Sequence, residues 1–260
     1  MLFCVLLKPG RNFYVQYAQI FWAEIAIFTL AQGHPGCYNM PKGGAEMRDF
    51  PVFPTDCGVS SLILNQIPYR QTAYIHIQDV QPDGFEAHLN ECISFCRMAG
   101  AEKIYATGHD LLKAYPSAGA VCEMRGMAWV DPEKLENLFP VTEATVGKWR
   151  SMMNQRMKGV DNAAFLTVAD EKKILASGGA YFVHHNGELL GLGWMDDTKL
   201  LLVTSVKPGA GERIMHSLMS LVEGSDMTIE VASTNDRAIR LYEKLGFVQT
   251  RQIFQWYEVG

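Results

Sequence analysis

The second half of this 260-residue chain lacks cysteine. All six cysteines lie before residue 123, and no two of them form a CxxC pair, so the sequence gives no support for a zinc knuckle or a thioredoxin-type site. A disulfide scaffold is excluded as well, because such proteins are shorter and much richer in cysteine. We therefore expect free thiols in a reducing cytoplasm.

The chain also lacks a strong excess of charge of one sign. It has 23 Lys and Arg residues against 28 Asp and Glu, which gives a net charge of −5. Broad electrostatic binding to nucleic acid or to anionic lipid needs a basic surface, so neither partner is expected. The hydrophobic fraction of 48% is that of a globular protein, and the length suggests one large domain or two small ones.

No export signal is evident, because residues 1–7 lack a basic region and a small-residue cleavage site. The apolar segment 13–31 could be mistaken for a membrane span. It contains Gln16, Gln19 and Glu24, and a carboxylate deep in a membrane is costly, so the segment predicts a mostly buried helix. We expect a cytoplasmic protein with no membrane partner.

Hydrophobic periodicity predicts a mixed α/β protein. Residues 34–70 are rich in proline and glycine, which indicates loops with short strands. The predicted strands after them are 73–80, 103–107, 181–184, 189–195, 200–206, 227–232 and 251–259. The predicted helices are 85–99, 110–115, 143–158, 161–176, 212–222 and 236–245.

Two features divide the chain into halves. The polar, proline-bracketed stretch 131–140 indicates a junction between a domain at 1–130 and a domain at 131–260. A weak repeat agrees with this division: V-x-P, three further residues and a Glu that opens a helix occur at 80–86 and again at 206–212. The same offset relates the next strand and helix of each half. Identities are few, so chance similarity is the alternative to duplication.

The most specific pattern is NDRAIRLYEKLGF at residues 235–247, directly after an apolar strand. Ala238, Leu241 and Leu245 recur at helical spacing, so one face of a helix is expected to pack on the sheet. Asn235 can cap this helix or face a cleft, and the glycine near the end of the string stands where a C-cap requires positive φ. Each residue alone fits an ordinary amphipathic helix, whereas the full string indicates a functional motif.

This string resembles the N-x-x-A-x-x-L-Y-x-K-x-G-F signature of the GNAT acyltransferase superfamily. The V-x-P at 206–208 and the Gly-x-Gly at 209–211 resemble that family's pyrophosphate-binding loop. The resemblance covers residues 141–260 and implies a GNAT-like mixed α/β sheet flanked by helices. It also implies an acyltransferase that moves an acetyl group from acetyl-CoA to an amine of a small molecule or peptide.

If the repeat is real, the chain holds two tandem GNAT-like domains, and the N-terminal one is degenerate. At the offset of the repeat, His109 stands in place of Asn235 and Pro116 in place of Tyr242. We therefore expect no catalysis in the N-terminal half. That half could shape the acceptor site or bind a second ligand.

The resemblance further implies a coenzyme A site. Glycines let backbone N–H groups approach a phosphate, and the following helix offers its positive end. The expected coenzyme-binding residues are Thr204, Val206, Gly209, Ala210, Gly211, Glu212, Arg213, Asn235, Ala238 and Tyr242. The loop departs from the family's Q/R-x-x-G-x-G/A pattern, because Arg213 and Met215 stand where glycines are expected. Arg213 could instead pair with a phosphate.

By the same resemblance, Tyr242 is the general acid that protonates the departing thiolate. The family often carries its base on the strand before the loop, but residues 201–205 contain no carboxylate. Glu230 on the neighbouring strand is the predicted substitute. The alternatives are that Glu230 is a surface carboxylate at a strand edge, or that a water chain serves as the base.

No metal site is predicted. His88, Cys92 and Cys96 have helical spacing, but the two cysteines lie on a stripe that indicates core packing.

A non-catalytic acyl-CoA-binding or regulatory module is the alternative function. A structural interaction protein is a third reading, which leaves the string at 235–247 unexplained. A homodimer is compatible with the sequence.

Overall fold

The computed structural model describes residues 51–158, 160, 163 and 165–260. The helix predicted at 13–31 and the thiols of Cys4 and Cys37 lie outside the described residues. All of the described residues belong to one compact unit, Met47–Gly260.

The described residues form an 11-stranded mixed sheet. Its strands are β1 (Val52–Pro54), β2 (Gly58–Ile63), β3 (Thr72–Val80), β4 (Lys103–Thr107), β5 (Ser117–Met127), β6 (Asn137–Pro140), β7 (Ala180–His185), β8 (Glu188–Asp196), β9 (Lys199–Ser205), β10 (Asp226–Ala232) and β11 (Val248–Glu258). The order across the sheet is β1-β2-β3-β4-β11-β5-β10-β9-β8-β7-β6. The pairs β3–β4 and β9–β10 are parallel, and the other pairs are antiparallel.

Helices lie on both faces of this sheet. They are α1 (Ile67–Arg70), α2 (Phe85–Met98), α3 (Val146–Met157), α4 (Val168–Ser177), α5 (Gly211–Met219) and α6 (Asp236–Lys244). Shorter 3-10 turns occur at Pro82–Gly84, Asp110–Ala114, Pro132–Lys134 and Ser220–Val222. The predicted architecture, a mixed α/β sheet flanked by helices, is confirmed. Residues 110–115 are predicted to form a helix, but the structure has a 3-10 turn at Asp110–Ala114.

Two stretches for which the sequence predicts no strand contain one. Within the stretch 131–140, Asn137–Pro140 forms β6 and pairs with β7. The long strand Ser117–Met127, which the sequence reading left without an element, forms β5 near the centre of the sheet. The buried apolar residues Ala120, Cys122 and Met124 stand at every second position, which is the spacing expected of a strand.

The last strands of the two halves are exchanged. β5 follows the parallel pair β3–β4 in the chain, and β11 follows the parallel pair β9–β10. Nevertheless β11 pairs with β4, and β5 pairs with β10. β5 and β11 also pair with each other, which joins both halves in one sheet. The element order β3–α2–β4 recurs as β9–α5–β10, while the domain boundary and the duplication stay predictions.

The C-terminal half packs helices closely against β8. A Cβ atom at Gly191 would come within 2.4 Å of Ile214 Cδ1, and one at Gly193 within 2.4 Å of Leu218 Cδ1, so α5 lies directly on this strand. On the α3 side, the Trp149 indole Nε1 donates to the Tyr181 carbonyl oxygen at 3.0 Å. Among the described residues, no helix has both the length and the apolar character that a membrane span requires.

Candidate active site

β9 and β10 separate shortly after they meet. Their parallel pairing consists of Thr228 opposite Lys199 and Ile229 opposite Leu200. β9 continues to Ser205 and β10 to Ala232 without a further described pair, and we call the gap between the ends of these two strands the opening.

A bulge in β9 accompanies the separation. Trp194 of β8 lies opposite Leu202, but its neighbour Met195 lies opposite Leu200. Leu201 is therefore an extra residue in β9. Such a bulge bends the strand and disrupts its pairing locally. It also changes which backbone groups point toward each neighbouring strand.

The Thr204 carbonyl and the Val206 N–H face β8 rather than the opening, and the Val206 carbonyl accepts a hydrogen bond from the Arg156 side chain of α3. Val206 N donates to Leu190 O at 2.7 Å. Because backbone groups alternate along a strand, those of Thr204 point the same way, and those of Val203 and Ser205 point into the opening. The expectation that Thr204 and Val206 offer backbone groups to a ligand there is thus one residue out of register, since the sequence does not reveal the bulge.

A glycine turn leads from this opening into α5. Gly209 has a φ of +81°, a conformation that favours glycine, and Ala210 is the N-cap residue of the helix. Gly211 begins α5, and a Cβ atom there would come within 3.0 Å of Leu241 Cδ2. The two glycines thus permit the sharp turn and the close approach of α5 to α6.

Glu212, in the first turn of α5, binds two lysines. Its Oε1 lies 2.7 Å from Lys134 Nζ, and its Oε2 lies 2.5 Å from Lys244 Nζ. Hydrogen bonds from Lys134 and Lys244 lower the pKa of the Glu212 carboxyl to about 2. Glu212 therefore remains ionised and ties α5 both to the turn Pro132–Lys134 and to the end of α6.

Arg213 forms an ion pair with Glu136, whose side chain is only 3% exposed. His185 Nδ1 lies 2.8 Å from the other oxygen of Glu136. Burial disfavours the charged form, but the hydrogen bonds from Arg213 and His185 outweigh it and hold the pKa of Glu136 below its usual range. A phosphate at this end of the opening would have to share the Arg213 guanidinium with that carboxylate.

Asn235 caps α6. Its Oδ1 accepts a hydrogen bond from Ala238 N at 3.2 Å, so the capping alternative is the one observed. The helix ends before Gly246, which has a φ of +88° as the sequence predicts. Ala238 lies on the face of α6 that packs against the apolar core of this half.

Tyr242 lies on α6 and is 5% exposed. Its ring packs against Phe247, with the ring centroids 6.3 Å apart. Burial raises the pKa of its hydroxyl, so the phenol keeps its proton at neutral pH. No residue in the described part of the chain forms a hydrogen bond with this hydroxyl. A protonated group without a fixed partner can act as a general acid.

Glu230 lies in β10 directly after the last pair with β9. Its Oε1 is 2.6 Å from Lys199 Nζ of β9, and its side chain is 8% exposed. β10 lies between β9 and β5 in the interior of the sheet. The alternative of an exposed carboxylate at a strand edge is therefore wrong.

Glu123 of β5 is a candidate that the sequence reading missed. It lies directly opposite Glu230 in the antiparallel pair of β5 and β10. Arg125, Thr250 and Arg251 donate hydrogen bonds to its carboxylate at 2.9, 2.8 and 3.2 Å. Burial opposes ionisation, but these three hydrogen bonds outweigh it and hold the pKa of Glu123 below its usual range. Alternation along β5 could have identified the strand, but not the pairing that places Glu123 opposite Glu230.

The corresponding strands of the N-terminal half do not separate. β3 and β4 remain paired from Thr72 opposite Lys103 to His76 opposite Thr107, where β4 ends. His109, which stands at the position of Asn235, accepts a hydrogen bond from Leu111 N at 3.2 Å and caps a short turn. This half therefore has no comparable opening at the ends of its parallel strands.

His88 is enclosed by hydroxyl groups rather than by metal ligands. Its Nδ1 lies 2.7 Å from Thr55 Oγ1, and its Nε2 lies 2.7 Å from Ser60 Oγ. Burial raises the pKa of the Cys92 thiol to about 11 and that of Cys96 to about 12, so both thiols stay protonated. The part of the chain that the structure describes contains no group of three His, Cys, Asp or Glu residues able to hold a metal ion.

Comparison with known proteins gives matches in fold but not in sequence. No protein-family model and no curated protein matches this chain. A candidate acetyltransferase from Pyrococcus horikoshii has a TM-score of 0.52 and 14% identity, with 78% of this chain and 70% of that chain covered. A conserved protein of unknown function from Staphylococcus epidermidis has a TM-score of 0.50 and 10% identity, with 81% and 93% covered.

A GCN5-related N-acetyltransferase from Sphaerobacter thermophilus has a TM-score of 0.49 and 12% identity, with 77% of this chain and 76% of that chain covered. At such identities a structural likeness is informative about the fold alone. The likeness to the Pyrococcus and Staphylococcus structures agrees with the mixed α/β sheet flanked by helices. The chain therefore shares its fold with these two structures, one of which is described as a candidate acetyltransferase.

Proposed function

We propose that the chain is an acetyl-CoA-dependent N-acetyltransferase that binds its coenzyme between β9 and β10. The observation that carries this proposal is the separation of the two strands directly before a glycine turn and the N-terminus of α5. An extended pantetheine arm needs a slot with backbone groups to bind, and Val203 and Ser205 direct theirs into the opening. The helix N-terminus at Gly211 suits the pyrophosphate.

The reaction forms an amide C–N bond and breaks the thioester C–S bond. The acceptor amine must lose a proton before or during its attack on the carbonyl carbon, and the departing thiolate must gain one. Glu230, at the apex of the opening, is the proposed base. Tyr242 is the proposed acid, since burial keeps its hydroxyl protonated.

The proposed acceptor is an amine of a small molecule or peptide, and the proposed catalytic half is 131–260. In the N-terminal half the parallel strands stay paired, and Pro116 stands in place of Tyr242, which supports the absence of catalysis there. We also propose a cytoplasmic location. The four described cysteines are free, which agrees with a reducing compartment.

A non-catalytic acyl-CoA-binding module is the second candidate. The carboxylate of Glu212 lies in the first turn of α5, and the Arg213 guanidinium is paired with Glu136. Both features weaken the attraction for a pyrophosphate. Such a module would bind acetyl-CoA and release no thiol in the presence of amines.

Two measurements separate these functions. Isothermal titration calorimetry with acetyl-CoA tests binding, and release of free thiol in the presence of a panel of primary amines tests transfer. The enzyme is supported by binding together with amine-dependent thiol release. Binding without thiol release supports the module, and the absence of acetyl-CoA binding rejects both.

A further inference from the structure

The strand exchange brings a carboxylate of the N-terminal half beside the proposed base. β5 belongs to the N-terminal half and pairs with β10 of the C-terminal half, so Glu123 lies directly opposite Glu230. The Cβ atoms of directly opposed residues are about 5 Å apart, which places both carboxyl groups on the same face of the sheet. Their side chains are only 7% and 8% exposed.

The two carboxylates differ in their hydrogen bonds. Both oxygens of Glu123 accept hydrogen bonds, from Arg125 and Thr250 on one side and from Arg251 on the other. Among the described residues, Glu230 accepts a hydrogen bond from Lys199 alone, through Oε1. No described residue binds Glu230 Oε2. A carboxylate that is more than nine-tenths buried thus keeps one oxygen for a further donor.

The surrounding charges explain why that donor should be a cation. Two like charges that face each other across a strand pair destabilise the sheet unless cations compensate them. Arg125 and Arg251 compensate Glu123, while Glu230 has Lys199 alone. A substrate ammonium group would donate to Glu230 Oε2 in a charge-assisted hydrogen bond, beside the fixed negative charge of Glu123.

We propose that Glu123, supplied by the N-terminal half, is a positioning residue of the acceptor site, and that the acceptor amine binds there as an ammonium ion on Glu230. The proposal rests on the proposed function, because it takes the face beside the β9–β10 opening as the acceptor site. Glu123 acts through Glu230: its charge strengthens the attraction for the cation, and its hydrogen bonds fix β5 against β10 and β11.

The test uses benzylamine and benzyl alcohol, which differ only at the group that carries the charge. Calorimetry on the full chain measures both affinities at neutral pH in low salt. We expect the wild-type protein to prefer benzylamine, and Glu123→Gln to reduce that preference about tenfold, as the loss of one nearby charge implies. Glu123→Asp keeps the charge and should restore most of the preference.

Glu188→Gln is the control, because it removes an exposed negative charge of the same half, whose ion pair with Lys207 lies outside the Glu123–Glu230 cluster. It should keep the wild-type preference. The proposal is overturned if Glu123→Gln keeps it as well, or if the wild-type protein binds both compounds equally or binds neither. A purely structural role of Glu123 would lower both affinities together and would also contradict the proposal.

Turnover gives a second readout. With an accepted amine, Glu123→Gln should raise the KM for the amine about tenfold, leave the KM for acetyl-CoA unchanged and change kcat by less than about threefold. Equal losses in all three parameters would contradict a positioning role. If the wild-type protein acetylates no amine, the proposed function fails, while the affinities for benzylamine and benzyl alcohol still decide the inference about Glu123.

Discussion

Leu200 and Ile229 are the last residues that pair β9 with β10. Beyond them the extra residue Leu201 bends β9, and the two strands end apart on either side of an opening. The glycine turn at 209–211 follows directly. The proposed position of the coenzyme depends on this one change of register.

Gly209→Ala should weaken acetyl-CoA binding about tenfold. A Cβ atom at φ +81° meets no neighbour, but a left-handed conformation costs a non-glycine residue about 1–2 kcal/mol, so the turn is expected to relax away from its position before α5. Calorimetry with acetyl-CoA measures the effect. The matched control is Gly178→Ala at the end of α4, where φ is +63° and a Cβ atom is equally unobstructed. A similar loss of affinity in both variants would contradict a local role of the turn.

Tyr242→Phe should lower amine-dependent thiol release about 100-fold, the scale of a general-acid contribution. Stability should change little at neutral pH, because no described residue bonds to the hydroxyl. Tyr69→Phe, on an exposed side chain, is the control and should keep full activity. An unchanged rate in Tyr242→Phe would remove Tyr242 from the mechanism.

The same tyrosine predicts a loss of stability in alkali. Burial raises the pKa of Tyr242 in the folded chain above its unfolded value of 10.0, so its contribution is complete below pH 10 and is lost as the pH rises further. Thermal unfolding of the wild-type chain should therefore shift to lower temperature above pH 10, and that of Tyr242→Phe should shift less. Parallel curves for the two proteins would contradict the effect.

The lowered pKa of Glu212 predicts that the stability of the folded chain depends on pH with the opposite sign. Its pKa is depressed from 4.5 to about 2 by Lys134 and Lys244, so its contribution to stability is present above pH 4.5 and is lost as the pH falls toward 2. In Glu212→Gln the melting temperature should fall less steeply over that range than in the wild-type chain. Glu188→Gln, which breaks an exposed ion pair with Lys207, should keep the wild-type slope.

The strand exchange predicts that neither half folds alone. A fragment of residues 131–260 lacks β5, and both β10 and β11 lose their long pairing with it. Such unpaired edges favour aggregation. Size-exclusion chromatography and circular dichroism should show an aggregated or unfolded fragment, which refolds when mixed with 1–130. A separate fragment that unfolds cooperatively at the melting temperature of the whole chain would contradict this account.

Local signals in the sequence were sufficient for much of the C-terminal half. The string at 235–247 predicts α6, its cap at Asn235 and the positive φ of Gly246, because each depends on neighbouring residues. The hairpin between β7 and β8 is likewise set by neighbouring residues, since Asn186 and Gly187 have φ of +48° and +82°. These features are local in the chain.

The features of the fold that depend on residues far apart in the chain could not be predicted from the sequence. The pairing of β5 with β10 joins residues about a hundred positions apart, and no local periodicity specifies the partner of a strand. The bulge at Leu201 shifts the backbone groups by one residue, so Val203 and Ser205 border the opening instead of Thr204 and Val206. Glu123 was missed because the sequence does not show that β5 pairs with β10.

A crystal structure of the chain with acetyl-CoA tests the central proposal most directly. The account predicts a pantetheine arm between β9 and β10, bonded to the backbone of Val203 and Ser205, with the pyrophosphate at the turn before α5. It also predicts that the thioester sulfur lies near the Tyr242 hydroxyl. A coenzyme bound elsewhere, or an opening that stays empty at saturating acetyl-CoA, would contradict the account.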